Sequence, residues 1–223
     1  MKKWKCLNKT KVDFLKKILE NKYKTLKILK EDKRSLVKVI EIDGNEFVLK
    51  IPKEKNTRKW QRFVNIFRGS DSFRNYKTME KLEQIGINST VAVFAAEKRS
   101  PFVVDSFLIM EFLEGEKINE SDYSKVIDEL NKLHLKGYLH GDSQIQNFMK
   151  RNNKIYMIDF RLQKNIYGKI GEMYEFIYLG ESCKEIEKYY DNIKNTSSFK
   201  IAWLWKKWLY LHGNIRKVLK GKK

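Results

Sequence analysis

Only two cysteines, Cys6 and Cys183, occur in the chain, far apart and without metal-ligand spacing. They exclude a disulfide framework and fit a reducing compartment. No apolar run approaches the roughly 20 residues needed to cross a bilayer. The first residues, Met1-Lys2-Lys3-Trp4-Lys5-Cys6, are basic but lack the apolar stretch of a signal peptide, so a cytoplasmic location is expected. Acids are scarce, 28 against 47 Lys and Arg, for a net charge of +19. Heavy use of Lys, Asn and Ile reads as an AT-rich genome, but that bias does not itself deplete acids. A balance this basic favours an anionic partner: nucleic acid, a membrane surface or a phosphorylated substrate. What is present is a folding composition, 42% hydrophobic and 13% aromatic over 223 residues. That length buries one good-sized core or two small lobes.

The chain is organised around His140-Gly141-Asp142-Ser143-Gln144-Ile145-Gln146-Asn147-Phe148 and the later Ile155-Tyr156-Met157-Ile158-Asp159-Phe160. Phosphoryl transfer from ATP needs a carboxylate to orient the attacking hydroxyl and accept its proton. It also needs an amide oxygen and a second carboxylate to hold magnesium against the phosphates. Asp142, Asn147 and Asp159 supply those groups in the order of the protein-kinase catalytic loop. A bare Asp-x4-Asn is common by chance; the full string, with a helix before it and Ile-Asp-Phe after it, is far more specific.

A short helix is expected within 11–22, then strands at 23–30, 35–42 and 45–51. Asp43-Gly44-Asn45 marks a hairpin turn. The turn Glu31-Asp32-Lys33-Arg34 has no glycine where a kinase covers the phosphates with a Gly-rich loop. Lys33 and Arg34 supply charge there, or are simply solvated. Lys50 ends Phe47-Val48-Leu49-Lys50, where kinase-like folds aim an ammonium at the α- and β-phosphates. Residues 53–69 interleave Trp60, Phe63 and Phe67 with Lys53, Lys55, Arg58, Lys59, Arg62 and Arg68, a short amphipathic helix suited to an anionic surface or to packing on the small lobe. A helix over 72–85 closes on Gly86. Strands at 89–97 and 102–112 lead to a hinge, Met110 to Gly115, whose backbone at Glu111 and Leu113 is expected to bond adenine. Ser121 is expected to cap a helix that ends at Gly137, with His134 a core or cap histidine. Further helices are expected over 182–194 and from Ser197 or Ser198 onward. In the last of these, Ile201, Leu204, Trp205, Trp208 and Leu211 share one face. Beyond Asn192 there are nine basic residues and no acid, the form of an interfacial membrane helix or of a C-lobe helix with a solvated tail.

Phe47–Pro52, Phe67–Ser70, Leu108–Ile118, Leu133–Asp142 and Tyr156–Phe160 together resemble the bacterial lipopolysaccharide core heptose kinases, within the protein-kinase-like superfamily, over roughly residues 20 to 180. The resemblance implies an α+β, two-lobed protein-kinase-like fold. Residues 1–112 would form a small antiparallel-sheet N-lobe, and 113–223 a reduced, mostly helical C-lobe. It implies ATP and Mg2+ as cofactors and a heptose hydroxyl of the inner core as acceptor. Asp142 matches the catalytic base, Asn147 and Asp159 the magnesium ligands, and Lys50 the phosphate-binding lysine. The acceptor would be a lipid-linked anionic core oligosaccharide, met by a peripheral enzyme on the cytosolic face of the inner membrane; no nucleic acid is expected. Several positions depart from protein kinases. Gln144 stands where many Ser/Thr kinases have lysine and Arg161 where the glycine of Asp-Phe-Gly falls. Asn75 stands where a glutamate holds the strand lysine, with Asp71 or Glu80 as substitutes. The alternatives are a protein Ser/Thr kinase, another small-molecule kinase, and an inactive kinase-like binding module.

Overall fold

The computed structural model describes residues 4–8, 10, 12–53, 69–100 and 102–219. The basic helix expected over 53–69 lies outside them, apart from Lys53 and Gly69. The chain divides into two compact units, Met1–Glu114 and Gly115–Lys223.

The described residues of the first unit build a six-stranded antiparallel sheet in the order β1-β5-β6-β4-β3-β2. Its strands are β1 (Trp4–Asn8), β2 (Lys24–Glu31), β3 (Leu36–Ile42), β4 (Asn45–Ile51), β5 (Ala92–Ser100) and β6 (Phe102–Glu111). Among the described residues two helices accompany it, α1 (Phe14–Leu19) and α2 (Asp71–Gln84). The β3–β4 hairpin turns on Asp43 (φ 54°) and Gly44 (φ 76°). That is the left-handed pair whose twist matches its flanking strands. β1 was not expected; three of its five residues are exposed, and its partner β5 defines it by pairing.

Because side chains alternate along a strand, Phe47, Leu49 and Ile51 of β4 face one way and Lys50 the other. The first face joins Phe14, Ile40, Ile42, Phe94, Phe107 and Ile109 in the core of this unit. Phe14 packs edge-on to Phe47 at 5.2 Å between ring centres. Lys50 lies opposite Val37 and Leu108, on the other face. Ser106, two residues from Leu108 on β6, meets Ser72 of α2 at 3.2 Å between hydroxyl oxygens, so α2 covers the face that carries Lys50. Ser70 caps α2 by accepting from Phe73 N–H, and Gly86 (φ 76°) follows its end.

The second unit begins with β7 (Glu116–Lys117) and α3 (Tyr123–Leu135). Asn119, not Ser121, is the capping residue, and it caps the 3-10 turn Glu120–Asp122 that leads into α3: its side chain accepts from Ser121 N–H within a capping box closed by Asp122. The next strands are β8 (Tyr138–Leu139), β9 (Phe148–Arg151), β10 (Lys154–Met157) and β11 (Gln163–Lys164). β9 and β10 are joined by Asn152 and Asn153, both left-handed. Helix α4 (Lys169–Ser182) occupies a stretch not expected to be helical. The helix expected over 182–194 is instead two 3-10 turns, Lys184–Tyr189 and Asp191–Ile193. Only Ile186 and Tyr190 are buried there, one apolar pair that does not reward a longer helix. Helix α5 (Ser197–Leu219) packs along α4.

Candidate active site

In the second unit β8 leads into His140 and the loop that follows it, with a 3-10 turn at Ile145–Asn147. The β9–β10 hairpin sets the geometry of the candidate metal residues. Phe148 is opposite Met157, and one step on, Ile158 N–H donates to the Asn147 carbonyl at 3.0 Å. Asp159 therefore emerges one residue beyond the partner of Asn147. Asn147 also donates through Nδ2 to the Asp142 carbonyl oxygen at 2.7 Å. That bond fixes the amide so that Oδ1 is the group left to accept, and an amide oxygen beside a carboxylate is a donor set for a hard cation. Among the described residues there is no cluster of three or more His, Cys, Asp or Glu able to hold a metal. One carboxylate and one amide suit magnesium that keeps waters and shares the phosphates of a nucleotide.

Asp142 is restrained on one side. Gln144 donates from Nε2 to Asp142 Oδ1 (3.0 Å) and to the Tyr178 hydroxyl (3.1 Å), and its own Oε1 accepts from Gln146 at 2.6 Å. Glutamine in place of lysine thus ties the carboxylate to α4 without adding a charge. Arg161 also has a structural account. Its N–H donates to the His140 carbonyl at 2.8 Å, and its backbone runs against Gly141. A Cβ on Gly141 would lie 2.3 Å from the Arg161 carbonyl oxygen, and φ there is +77°. Glycine at 141 is required on both counts.

Sequence reasoning placed Glu175 only among the aromatics of 160–180, at the activation-segment position, and gave it no role. It is 3% exposed on α4 and accepts three bonds from the catalytic-loop side. Oε2 takes His140 N–H (2.9 Å) and faces His134 Nε2 (2.9 Å); Oε1 takes Gly141 N–H (2.6 Å). Ser143 donates its hydroxyl proton to the Glu175 carbonyl at 2.9 Å. The available signal was a lone acid inside the aromatic run Tyr174-Glu175-Phe176-Ile177-Tyr178, where a charge is retained only if it is satisfied. His140 is fully buried, with Nδ1 accepting from Asp142 N–H at 3.3 Å. Burial pushes the His140 imidazole below the usual histidine range, outweighing the nearby charges of Glu175 and Asp142. A neutral ring that accepts at Nδ1 carries its proton on Nε2, which has no partner among the described residues.

In the first unit Lys50 sits on β4 as expected. Glu111 ends β6 and gives its N–H to the Val91 carbonyl at 2.9 Å. Leu113 follows two residues later, beyond the strand. The glycine-free turn is closed by Asp32, whose Oδ1 accepts from both Arg34 N–H and Ser35 N–H at 2.7 Å. Those backbone bonds hold its carboxyl below the usual carboxylate range. Two amides that a Gly-rich loop offers to phosphates are therefore spent inside the turn.

Helix α5 departs from the single face expected of it. Ala202 is fully buried, and Trp205 packs on Tyr167 and Tyr174 at 5.0 and 5.9 Å between ring centres. Ile201, Leu204, Trp208 and Leu211 form a separate stripe that is exposed, Leu211 to 60%. Among the described residues, Lys206 pairs with Glu181, and Lys194 with Glu187 and Asp191. No described helix is long and apolar enough to cross a membrane.

Comparison with known proteins gives one family and a fold. The family model described as lipopolysaccharide core biosynthesis protein (WaaY) matches residues 4–169. The lipopolysaccharide core heptose(II) kinase WaaY of Escherichia coli (strain K12) is 23% identical over 160 residues, covering 68% of this chain and 69% of that protein. The KEOPS complex subunit Bud32 of Pyrococcus abyssi (strain GE5 / Orsay) is 27% identical over 131 residues, covering 52% and 57%. Among solved structures, WaaP in complex with acyl carrier protein superposes with a TM-score of 0.56 at 15% identity, covering 91% of this chain and 97% of that one. The fold is α+β and protein-kinase-like, and the chain belongs to the WaaY family of lipopolysaccharide core biosynthesis proteins.

Proposed function

We propose that the protein transfers the γ-phosphoryl group of ATP to a hydroxyl of an inner-core heptose of lipopolysaccharide. The observation that carries this reading is the Asn147 amide: its Nδ2 donates to the Asp142 carbonyl oxygen, which leaves Oδ1 to accept, and the backbone pairing with Ile158 puts Asp159 next in the chain. Magnesium-bound ATP supplies the transferable group and the charge neutralisation. Asn147 Oδ1 and the Asp159 carboxylate hold the metal, and the Lys50 ammonium takes the phosphates. The carbonyl of Glu111 and the backbone of Leu113 hold adenine. Asp142, with Oδ1 occupied by Gln144, accepts the acceptor hydroxyl's proton on Oδ2. The hydroxyl oxygen bonds to the γ-phosphorus as the bridging bond breaks and ADP leaves.

The acceptor is built on lipid at the inner membrane, and the exposed stripe of α5 with the basic tail lies flat on that anionic surface. The +19 charge serves both the surface and the anionic sugar. Calorimetry tests the nucleotide half. Asp159→Ala should abolish the magnesium dependence of ATP binding, and Lys50→Ala should weaken binding with or without metal. Unchanged MgATP affinity in both variants overturns the reading.

A further inference from the structure

A cavity of about 350 Å³ opens beside the Asp142 carboxylate, within the second unit. Its floor includes Gly141 and Ser143, and its walls include Tyr167, Tyr174, Tyr178 and Trp205. We infer that this cavity is the acceptor subsite and that it takes one face of a saccharide ring on Trp205, presenting a hydroxyl to Asp142. The inference rests on the phosphotransferase reading and names the residues that select its acceptor.

Four observations carry it. The volume is at the lower end of small-molecule sites, enough for a compact polar ligand. The walls are aromatic, and Trp205 is held in place by Tyr167 and Tyr174 rather than turned to solvent. Ring C–H bonds of a sugar carry partial positive charge and meet the negative face of an indole favourably. The polar groups converge on one point: Gln144 joins Asp142 Oδ1 to the Tyr178 hydroxyl, so a ligand touching Tyr178 is registered against the base. Lys206 lies 4.6 Å above the Tyr178 ring and 5.6 Å from that of Tyr174, placing a cation at the wall for an anionic substituent, partly offset by Glu181. Tyr174, Tyr178 and Trp205 all lie beyond residue 169, where the family match ends. Three of the four aromatic wall residues are thus drawn from the part of the chain that the family pattern does not cover, and Tyr167 from just inside it.

The test compares Trp205→Leu and Trp205→Phe, both of which keep a sizeable apolar side chain while only Phe keeps an aromatic face. The probe is inner-core heptose oligosaccharide freed of its acyl chains, so that lipid attraction plays no part. Initial rates give KM for the oligosaccharide and for ATP separately. Trp205→Leu should raise the oligosaccharide KM about tenfold and leave the ATP KM unchanged, while Trp205→Phe stays within about threefold of wild type. An unchanged oligosaccharide KM in Trp205→Leu, or an equal rise in both constants, overturns the assignment. Tryptophan emission gives a second readout that needs no turnover. Oligosaccharide should shift the wild-type emission and should not shift that of Trp205→Phe. If the wild type binds MgATP and oligosaccharide but transfers no phosphate, the kinase reading fails while the emission result still decides the subsite. A wild type whose emission ignores the oligosaccharide overturns the subsite itself.

Discussion

Glu175 Oε1 accepts the backbone N–H of Gly141 at 2.6 Å, so a residue of α4 holds the turn that carries Asp142. With Oε2 on His140 N–H and facing His134, one carboxylate serves three donors, two of them on the buried His134 and His140. Glu175→Ala leaves all three unpaired and should destabilise the protein by about 3–5 kcal/mol in urea denaturation. Glu175→Gln, which keeps one acceptor, should cost less. Equal stability of Glu175→Ala and wild type would show that the loop is held by something else.

Gly141→Ala places a methyl group against the Arg161 carbonyl in a left-handed backbone. The expected loss is about 2 kcal/mol or more, with a fall in kcat because the loop must shift. Melting curves and initial rates check both. A variant within about 0.5 kcal/mol of wild type would mean that the two backbones separate freely.

His140 gives the stability a pH dependence of definite sign. Its folded-state pKa is depressed, so the unfolded chain binds the proton first as pH falls. Its contribution is complete above the ordinary histidine pKa and is lost as pH falls from there toward the folded value. The slope due to this group approaches about 1.4 kcal/mol per pH unit in that window. Urea midpoints between pH 7 and pH 5 should fall in the wild type and fall less in His140→Asn. Asparagine keeps an acceptor for Asp142 N–H but does not titrate. Parallel pH curves for the two proteins would contradict the buried neutral histidine.

How far the sequence spoke depends on the range of the interaction. The strand under Lys50 and the loop and hairpin that carry Asp142, Asn147 and Asp159 were legible because local spacing and strand patterns place them. The β3–β4 hairpin was legible from Asp43-Gly44. Glu175 was not, because its partners lie more than thirty residues away and an acid on a helix ordinarily reads as solvated. The two faces of α5 merged into one in the sequence, since tryptophan and leucine are apolar wherever they point. Ala202, the small residue at the packing face, was the clue to which side meets α4. β1 escaped notice because pairing with β5, rather than its own composition, makes it a strand.

The exposed stripe of α5 predicts binding to anionic vesicles. Each Lys or Arg near such a surface contributes about 1 kcal/mol, an attraction that salt screens. Lys207→Glu, Arg216→Glu and Lys217→Glu together should weaken co-sedimentation roughly a hundredfold or more at low salt. Lys206 is left intact because it is paired with Glu181 and stands over Tyr178. A wild type that ignores anionic vesicles at low salt would confine the basic charge to the acceptor sugar.

The most direct test of the central claim is transfer of labelled γ-phosphate from ATP to inner-core heptose oligosaccharide, measured for wild type and Asp142→Asn with magnesium present. The account predicts stoichiometric labelling by the wild type. It predicts a fall in kcat of about 10²-fold or more in Asp142→Asn, with MgATP affinity little changed. Near-normal turnover by Asp142→Asn, or no labelling of the heptose by a wild type that binds MgATP, would contradict it.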